Sequence, residues 1–242
     1  MNTDKKQALS VHLKAIRRML IVSVASVAVL FILFFYLLCG PLVDFVLAPV
    51  RARGIEVITT SVSEALMMQF KVCLIAAVIA GMPVIIWQVW IFVAPALYPQ
   101  EKRLFAALFF VALLLFVGGV VFCYCLVFPM AIDLFWSAAD GVASTLWSVK
   151  EYFNFVLSFV LPFGLMFELP VVVYMLARRG LVTYQKLAHS RKYVILVIAI
   201  IAAILTPPDA VSQCMLAIPM ILLYEVAAQL ARLVKPKKPA EA

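Results

Sequence analysis

Charge is scarce in this chain: only 13% of its 242 residues are Asp, Glu, Lys or Arg, against 67% hydrophobic. The mean hydropathy is +1.12. A water-soluble domain of this length needs a far more charged surface, so that class is excluded. Histidine is scarcer still. His12 and His189 lie far apart, each in a basic segment, and no metal site or catalytic dyad is expected from them. There is no Gly-x-Ser-x-Gly and no His-Glu-x-x-His, which removes the signatures of a membrane-embedded hydrolase. The five cysteines mostly lie in apolar segments, at spacings that fit neither a zinc site nor a disulfide framework. They read as small buried hydrophobes. Short alternating strands are lacking, which excludes a membrane β-barrel. No internal repeat is visible, which weighs against an inverted-repeat transporter, and no nucleic-acid module is present.

What the chain does have is long uncharged runs. Twenty-five uncharged residues separate Arg18 from Asp44, 29 separate Lys71 from Glu101, and 29 more separate Arg103 from Asp133. From Glu151 to Arg178 the one charge is Glu168. A helix of about 20 apolar residues crosses the hydrocarbon layer, so four crossings follow directly. The last third is less regular. Tyr193 to Thr206 is 14 residues, about 21 Å as a helix. Thr206-Pro207-Pro208-Asp209 then turns the chain, and Val211 to Ala231 runs back. So short a helix needs either a thinned bilayer or a re-entrant hairpin, and both return the chain to its starting side. The expected fold is all-α: a polytopic membrane protein of six helices, at roughly 19–39, 70–94, 105–129, 152–177, 193–206 and 211–231. Residues 1–232 form a single membrane domain and 233–242 a polar tail. The first helix is too long for a signal peptide, and no small-residue cleavage site follows it, so it is expected to be retained. In the connection over residues 40–70, Pro41 and Pro49 are expected to break the chain, with the second helix starting in Ser61–Phe70.

Orientation follows from the basic residues. With a cytoplasmic N-terminus, 16 of the 20 Lys and Arg fall on the cytoplasmic side, leaving Arg51, Arg53, Lys71 and Lys150. The positive-inside rule therefore places both termini in the cytoplasm. It also accounts for the net charge of +8 through anionic lipid, without nucleic acid.

Four acidic residues near or within the membrane stand out. Glu168 lies mid-way along the fourth helix, where insertion of a charge costs about 2.5–3.5 kcal/mol, and charged groups at such depth usually face protein or water. It is either a structural glutamate packing a proline-kinked helix or a functional polar contact at depth. Glu225 lies nearer the cytoplasmic end, within snorkelling range. Asp209 is placed to cap the last helix. Glu101 stands beside Lys102 and Arg103 in a short cytoplasmic loop. On these residues alone a transporter, a channel and an assembly subunit all remain open.

The loop wording goes further. His12-Leu13-x-x-Ile16-Arg17-x-x-Leu20 resembles the opening signature of the TatC family, the multi-spanning subunit of the twin-arginine protein translocase. Gln88-Val89-Trp90-Ile91-Phe92-Val93-Ala94-Pro95-Ala96-Leu97-Tyr98, with Glu101 and a basic pair, is similar to the family's first cytoplasmic loop. Phe163-Gly164 through Phe167-Glu168-Leu169-Pro170 matches its fourth-helix motif. Thr206-Pro207-Pro208-Asp209-x-x-Ser212-Gln213, then Ala217-Ile218-Pro219-Met220 and Tyr224-Glu225, matches its end. Four motifs in order, each in its expected topological place, span about residues 8–232.

The resemblance implies a cup-shaped six-helix receptor in the bacterial cytoplasmic membrane, not an enzyme, without cofactor or metal. It would bind twin-arginine signal peptides and, with the single-spanning TatA and TatB subunits, export folded proteins using the proton-motive force. Self-association in a receptor complex is implied too. The implied signal-peptide residues are Glu101, Arg17, Phe92, Pro95, Leu97 and Tyr98. A carboxylate facing the cytoplasm suits a paired-arginine ligand, because guanidinium and carboxylate form bidentate, charge-assisted hydrogen bonds. Glu168, Gln213, Asp209 and Glu225 are the candidate intramembrane polar or partner contacts, and Pro49, Pro170, Pro207 and Pro208 the structural prolines. Two positions depart from the family pattern. Ala15 stands where many members carry a glutamate, leaving Glu101 to act with a more distant acid such as Asp4, or the arginines to be read less strictly. Ser61-Val62-Ser63-Glu64 replaces a proline-containing start of the second helix. The competing class is a secondary transporter or proton channel for a small solute, which needs more midplane polar groups than Glu168 alone supplies.

Overall fold

The structure is a computed structural model and describes residues 2–93, 102–139, 146–206 and 209–234. In chain order it comprises α1 (Asn2–Leu37), α2 (Cys39–Arg51), β1 (Val57–Ile58), α3 (Val62–Val93) and α4 (Lys102–Phe122). A π-helical turn (Cys123–Val127), α5 (Phe128–Ala139), β2 (Trp147–Ser148) and α6 (Val149–Met166) follow. The chain ends in α7 (Leu169–Arg178), α8 (Tyr184–Leu205) and α9 (Ala210–Leu233). Six stretches among the described residues are long and apolar enough to span a membrane: Leu13–Leu37, Val62–Ile91, Ala106–Ser137, Val149–Arg178, Tyr184–Leu205 and Ala210–Leu233.

The chain divides into two compact units that interleave in sequence. The first takes residues 1–45 and 62–113. In it α1 packs along α3. Phe31 and Phe35 stack against Phe70, with ring centroids 5.7 and 4.7 Å away. At Gly81 a Cβ would stand 3.3 Å from Val27, so the absence of a side chain lets α1 and α3 approach closely. Trp87 meets Phe109 of α4 edge to face at 5.3 Å.

The second unit takes residues 46–61 and 114–242. Its core is aromatic, with Phe116, Phe128, Phe153, Phe159 and Phe163 fully buried. α9 packs against α6, α7 and α8. The α7–α9 seam is made of small residues: Val173 and Ala177 face Ala227 and Ala231. Such seams let membrane helices gain dispersion contacts where lipid offers no hydrophobic drive. Gly180, at φ 71°, takes the left-handed position that ends α7.

Prolines account for the irregularities. Pro129 has no N–H for the carbonyl four residues back, and its ring crowds that turn. The helix widens there, and Phe128 N–H bonds Cys123 O in the π-turn instead. Pro170 does the same to Met166, where α6 stops and α7 restarts at Leu169. Pro49 behaves differently from expectation. The connection after α1 is not broken at Pro41 and Pro49 but forms the 13-residue helix α2. Pro41 falls in its first turn, where the missing N–H costs nothing, and the Pro49 carbonyl accepts from Arg53 Nη1 at 2.9 Å. The fifth spanning helix is also longer than its apolar run: α8 has 22 residues, because Tyr184–Lys192 adds polar helical turns ahead of Tyr193.

Candidate functional site

Glu168 lies in the break between α6 and α7. Its N–H bonds Leu165 O, and its own carbonyl accepts from Val171 and Val172, each at 3.1 Å. The side chain is half-buried, and its Oε1 is buried with no hydrogen-bond partner among the described residues. A carboxylate oxygen in that position forfeits hydration without compensation, which a stable fold tolerates only for a reason.

Just before the break, two glycines set the packing of α4 against α6. A Cβ at Gly119 would stand 2.8 Å from the Phe163 carbonyl and 2.9 Å from the Phe167 ring. One at Gly164 would stand 2.5 Å from the Phe116 ring. α4 and α6 therefore approach to near backbone contact just before the break, and Phe122 fills the remainder against Phe163 and Phe167 at 5.8 and 5.6 Å.

The other polar candidates are structurally engaged. Asp209 Oδ1 accepts from Ser212 N at 2.7 Å and caps α9. Gln213 Nε2 donates to Ala199 O at 3.1 Å, tying α9 to α8 at that end. Glu225 accepts from Arg191 Nη2 and from Gln229 Nε2, and Arg191 also reaches the Tyr184 hydroxyl. Arg232 stacks over the Tyr184 ring, 5.9 Å from its centroid. Arg17 is exposed on α1. Phe92 lies in the last turn of α3. Glu101, Pro95, Leu97, Tyr98, Pro207 and Pro208 lie outside the described residues.

A second polar cluster escaped the sequence reading. Arg53 Nε donates to Asp133 Oδ1 at 2.6 Å, and the Tyr152 hydroxyl donates to Val46 O at 2.8 Å. The hydrogen bond to Asp133 pushes the Arg53 pKa up, so the guanidinium stays charged across any working pH. Beside it β1 pairs in parallel with β2, Val57 opposite Trp147 and Ile58 opposite Ser148. One signal was available: Arg53 belongs to the basic minority that the positive-inside count leaves on the other side.

Among the described residues, six helices fit to span a membrane and a buried carboxylate oxygen without a partner, with basic residues near the helix ends, define a multi-pass membrane protein. Comparison with known proteins narrows this. The family model for the Sec-independent protein translocase protein TatC matches residues 11–219. The chain is 38% identical to the TatC protein of Carboxydothermus hydrogenoformans over 97% of both chains. It is 35% identical to that of Haemophilus influenzae over 98% of this chain and 93% of the relative. A crystal structure of the twin-arginine translocase receptor TatC superposes with a TM-score of 0.86 at 36% identity, covering 92% of this chain and 98% of the other. The chain belongs to the TatC family. It is a protein-transport subunit, and the small-solute transporter finds no support in these matches.

Proposed function

We propose that this chain is the receptor for paired-arginine signal peptides within a twin-arginine translocase, set in the bacterial cytoplasmic membrane with both termini cytoplasmic. It works with TatA and TatB, assembles with further copies of itself, and moves folded proteins using the proton-motive force. It supplies no catalysis and needs no cofactor. The carrying observation is the likeness to a solved TatC receptor over 92% of the chain. Recognition falls to the acid of the first cytoplasmic loop. Glu101 meets the arginine pair through charge-assisted hydrogen bonds, while Phe92, Pro95, Leu97 and Tyr98 take the apolar part of the peptide and Arg17 borders the site. Glu168 Oε1, buried and without a donor among the described residues, is poised for a donor from the inserted peptide or a partner helix. Asp209 and Gln213 mark the outer turn where a single-spanning subunit docks.

The deciding experiment is cross-linking of a twin-arginine precursor to the chain in native membranes, with Glu101→Ala and an Arg-Arg→Lys-Lys precursor as comparisons. Either change should cut the cross-link about tenfold or more, since Glu101→Ala removes the charge-assisted pair and Lys-Lys cannot reproduce the bidentate guanidinium fork. Undiminished cross-linking in both would refute Glu101 as the reader of the arginines.

A further inference from the structure

Cys39 and Cys73 are the two cysteines of the first unit, and both are unbridged thiols in this structure. Residues 40–72 separate them in sequence, yet their side chains share a hydrogen bond. The register of α1 on α3 explains the meeting. The two helices run antiparallel, with Val27 beside Gly81 and Phe35 beside Phe70. Leu30 lies 3.5 Å from where a Cβ of Gly81 would stand. About 13.5 Å of helix onward from Leu30 comes Cys39, and about 12 Å back from Gly81 comes Cys73, so both steps reach the same level. Helical bonding carries through the joint between α1 and α2. Leu38 N–H bonds Phe34 O at 2.9 Å and Leu42 N–H bonds Leu38 O at 3.0 Å, so the advance along α1 holds as far as Cys39.

The two sulfurs differ in access. Cys73 is fully buried, while Cys39 is half-buried and lies just past Leu37, where the first span ends. A thiol is a weak donor, so the hydrogen bond adds little that a pair of small apolar side chains would not supply. What the pair offers is geometry. Thiols in contact have Cβ vectors turned toward each other, which is the condition a disulfide sets. The remaining cysteines, Cys123, Cys125 and Cys214, all belong to the second unit. In the orientation proposed above, the connection that begins at Cys39 lies on the membrane face opposite both termini. That face looks onto the oxidising compartment, where disulfides form and persist.

We propose that Cys39 and Cys73 form a dithiol–disulfide site, oxidised from the extracytoplasmic side by the disulfide of a thiol oxidoreductase. The proposal rests on the orientation given under the proposed function. Cys39, the accessible partner, attacks the oxidant's disulfide as its thiolate, giving a mixed disulfide and releasing one oxidant thiolate. Cys73, held beside it, then gives up its proton and attacks Cys39 Sγ, and the oxidant's second sulfur leaves. One disulfide forms in this chain and the oxidant's disulfide is reduced to a dithiol, which takes up the two thiol protons. The new bond ties the outer end of α1 to α3 and closes residues 40–72, with α2 and β1, into a covalent loop.

The test reads the two cysteines on separate tryptic peptides, 19–51 and 72–102, each of which carries one of them. Cells are quenched in acid, free thiols are blocked with N-ethylmaleimide, and the full chain is digested without reductant. The two peptides should be recovered linked in most of the chain, and the link should vanish after a phosphine reductant and in Cys39→Ser. The purified chain, reduced and then given oxidised glutathione, should form the same link. Maleimide on both peptides in cells, with no link after oxidised glutathione, would overturn the proposal. An impermeant maleimide offered to intact cells carrying Cys73→Ser keeps that failure apart from a wrong orientation. Labelling of peptide 19–51 from outside, with no link in wild-type cells, overturns the proposal and leaves the orientation standing. Labelling by permeant N-ethylmaleimide alone overturns the orientation, and the proposal with it.

Discussion

Gly118 and Gly119 are neighbours in α4, yet alanine at the two positions should act very differently. At Gly118 nothing lies within 4 Å of the added Cβ. At Gly119 it meets the Phe163 carbonyl at 2.8 Å and the Phe167 ring at 2.9 Å. The carbonyl cannot yield, because it accepts from Phe167 N at 3.1 Å in the bond that closes α6. The ring cannot yield easily either, being wedged against Phe122. Overpacking of this kind costs about 1–3 kcal/mol. For a chain of this size each kcal/mol moves the unfolding midpoint about 2–4 °C, so Gly119→Ala should lower Tm by about 2–12 °C. Gly118→Ala should be neutral. Its gain in helix propensity of about 1 kcal/mol is mostly cancelled, because a membrane span stays helical when its packing is lost. Both variants can be followed by thermal unfolding in detergent, read by tryptophan fluorescence. Equal midpoints for Gly119→Ala and wild type, or a larger loss at Gly118, would refute the close approach of α4 and α6.

Two further outcomes are expected. Tyr152→Phe removes the bond to Val46 O from a buried side chain and should cost about 1 kcal/mol, a drop of about 2–4 °C in the same melt; an unchanged midpoint would show the bond contributes nothing. Glu168→Gln replaces a half-buried carboxyl whose Oε1 has no donor among the described residues with a neutral amide, so stability should hold or rise. Precursor binding should persist while transport in membrane vesicles falls about tenfold, the loss expected of one charge-assisted contact. Full transport by this variant would remove Glu168 from the cycle, and lost binding would move it into the receptor site.

The spans were legible because charge is excluded from lipid. Runs of 25 and 29 uncharged residues have no other use, and a lone Glu168 inside a fourth run announces itself. What was hidden depended on partners far along the chain. Pro49 reads as a breaker until Arg53 is seen bonding its carbonyl. Glu225 reads as a lone intramembrane acid until Arg191, 34 residues away, is seen beside it. The polar turns Tyr184–Lys192 carry no apolar stripe, so the true start of α8 rests on the Thr183 cap and on packing against α9. Nothing in composition separates residues 45 and 46, or 113 and 114, so the two units were not foreseeable.

The latch formed by α2, β1, Asp133 and Tyr152 also imposes an order of birth. Arg53 and Asp133 are 80 residues apart, and Val46 and Tyr152 are 106 apart. At roughly 5–20 residues per second of synthesis, α2 and β1 wait about 5–20 s for their partners to leave the ribosome. During that interval Arg53 has no Asp133 to bond and β1 has no paired strand, and a nascent chain stalled before Asp133 lacks both. An unlatched chain therefore differs from a finished one in an exposed strand edge and an unmatched guanidinium.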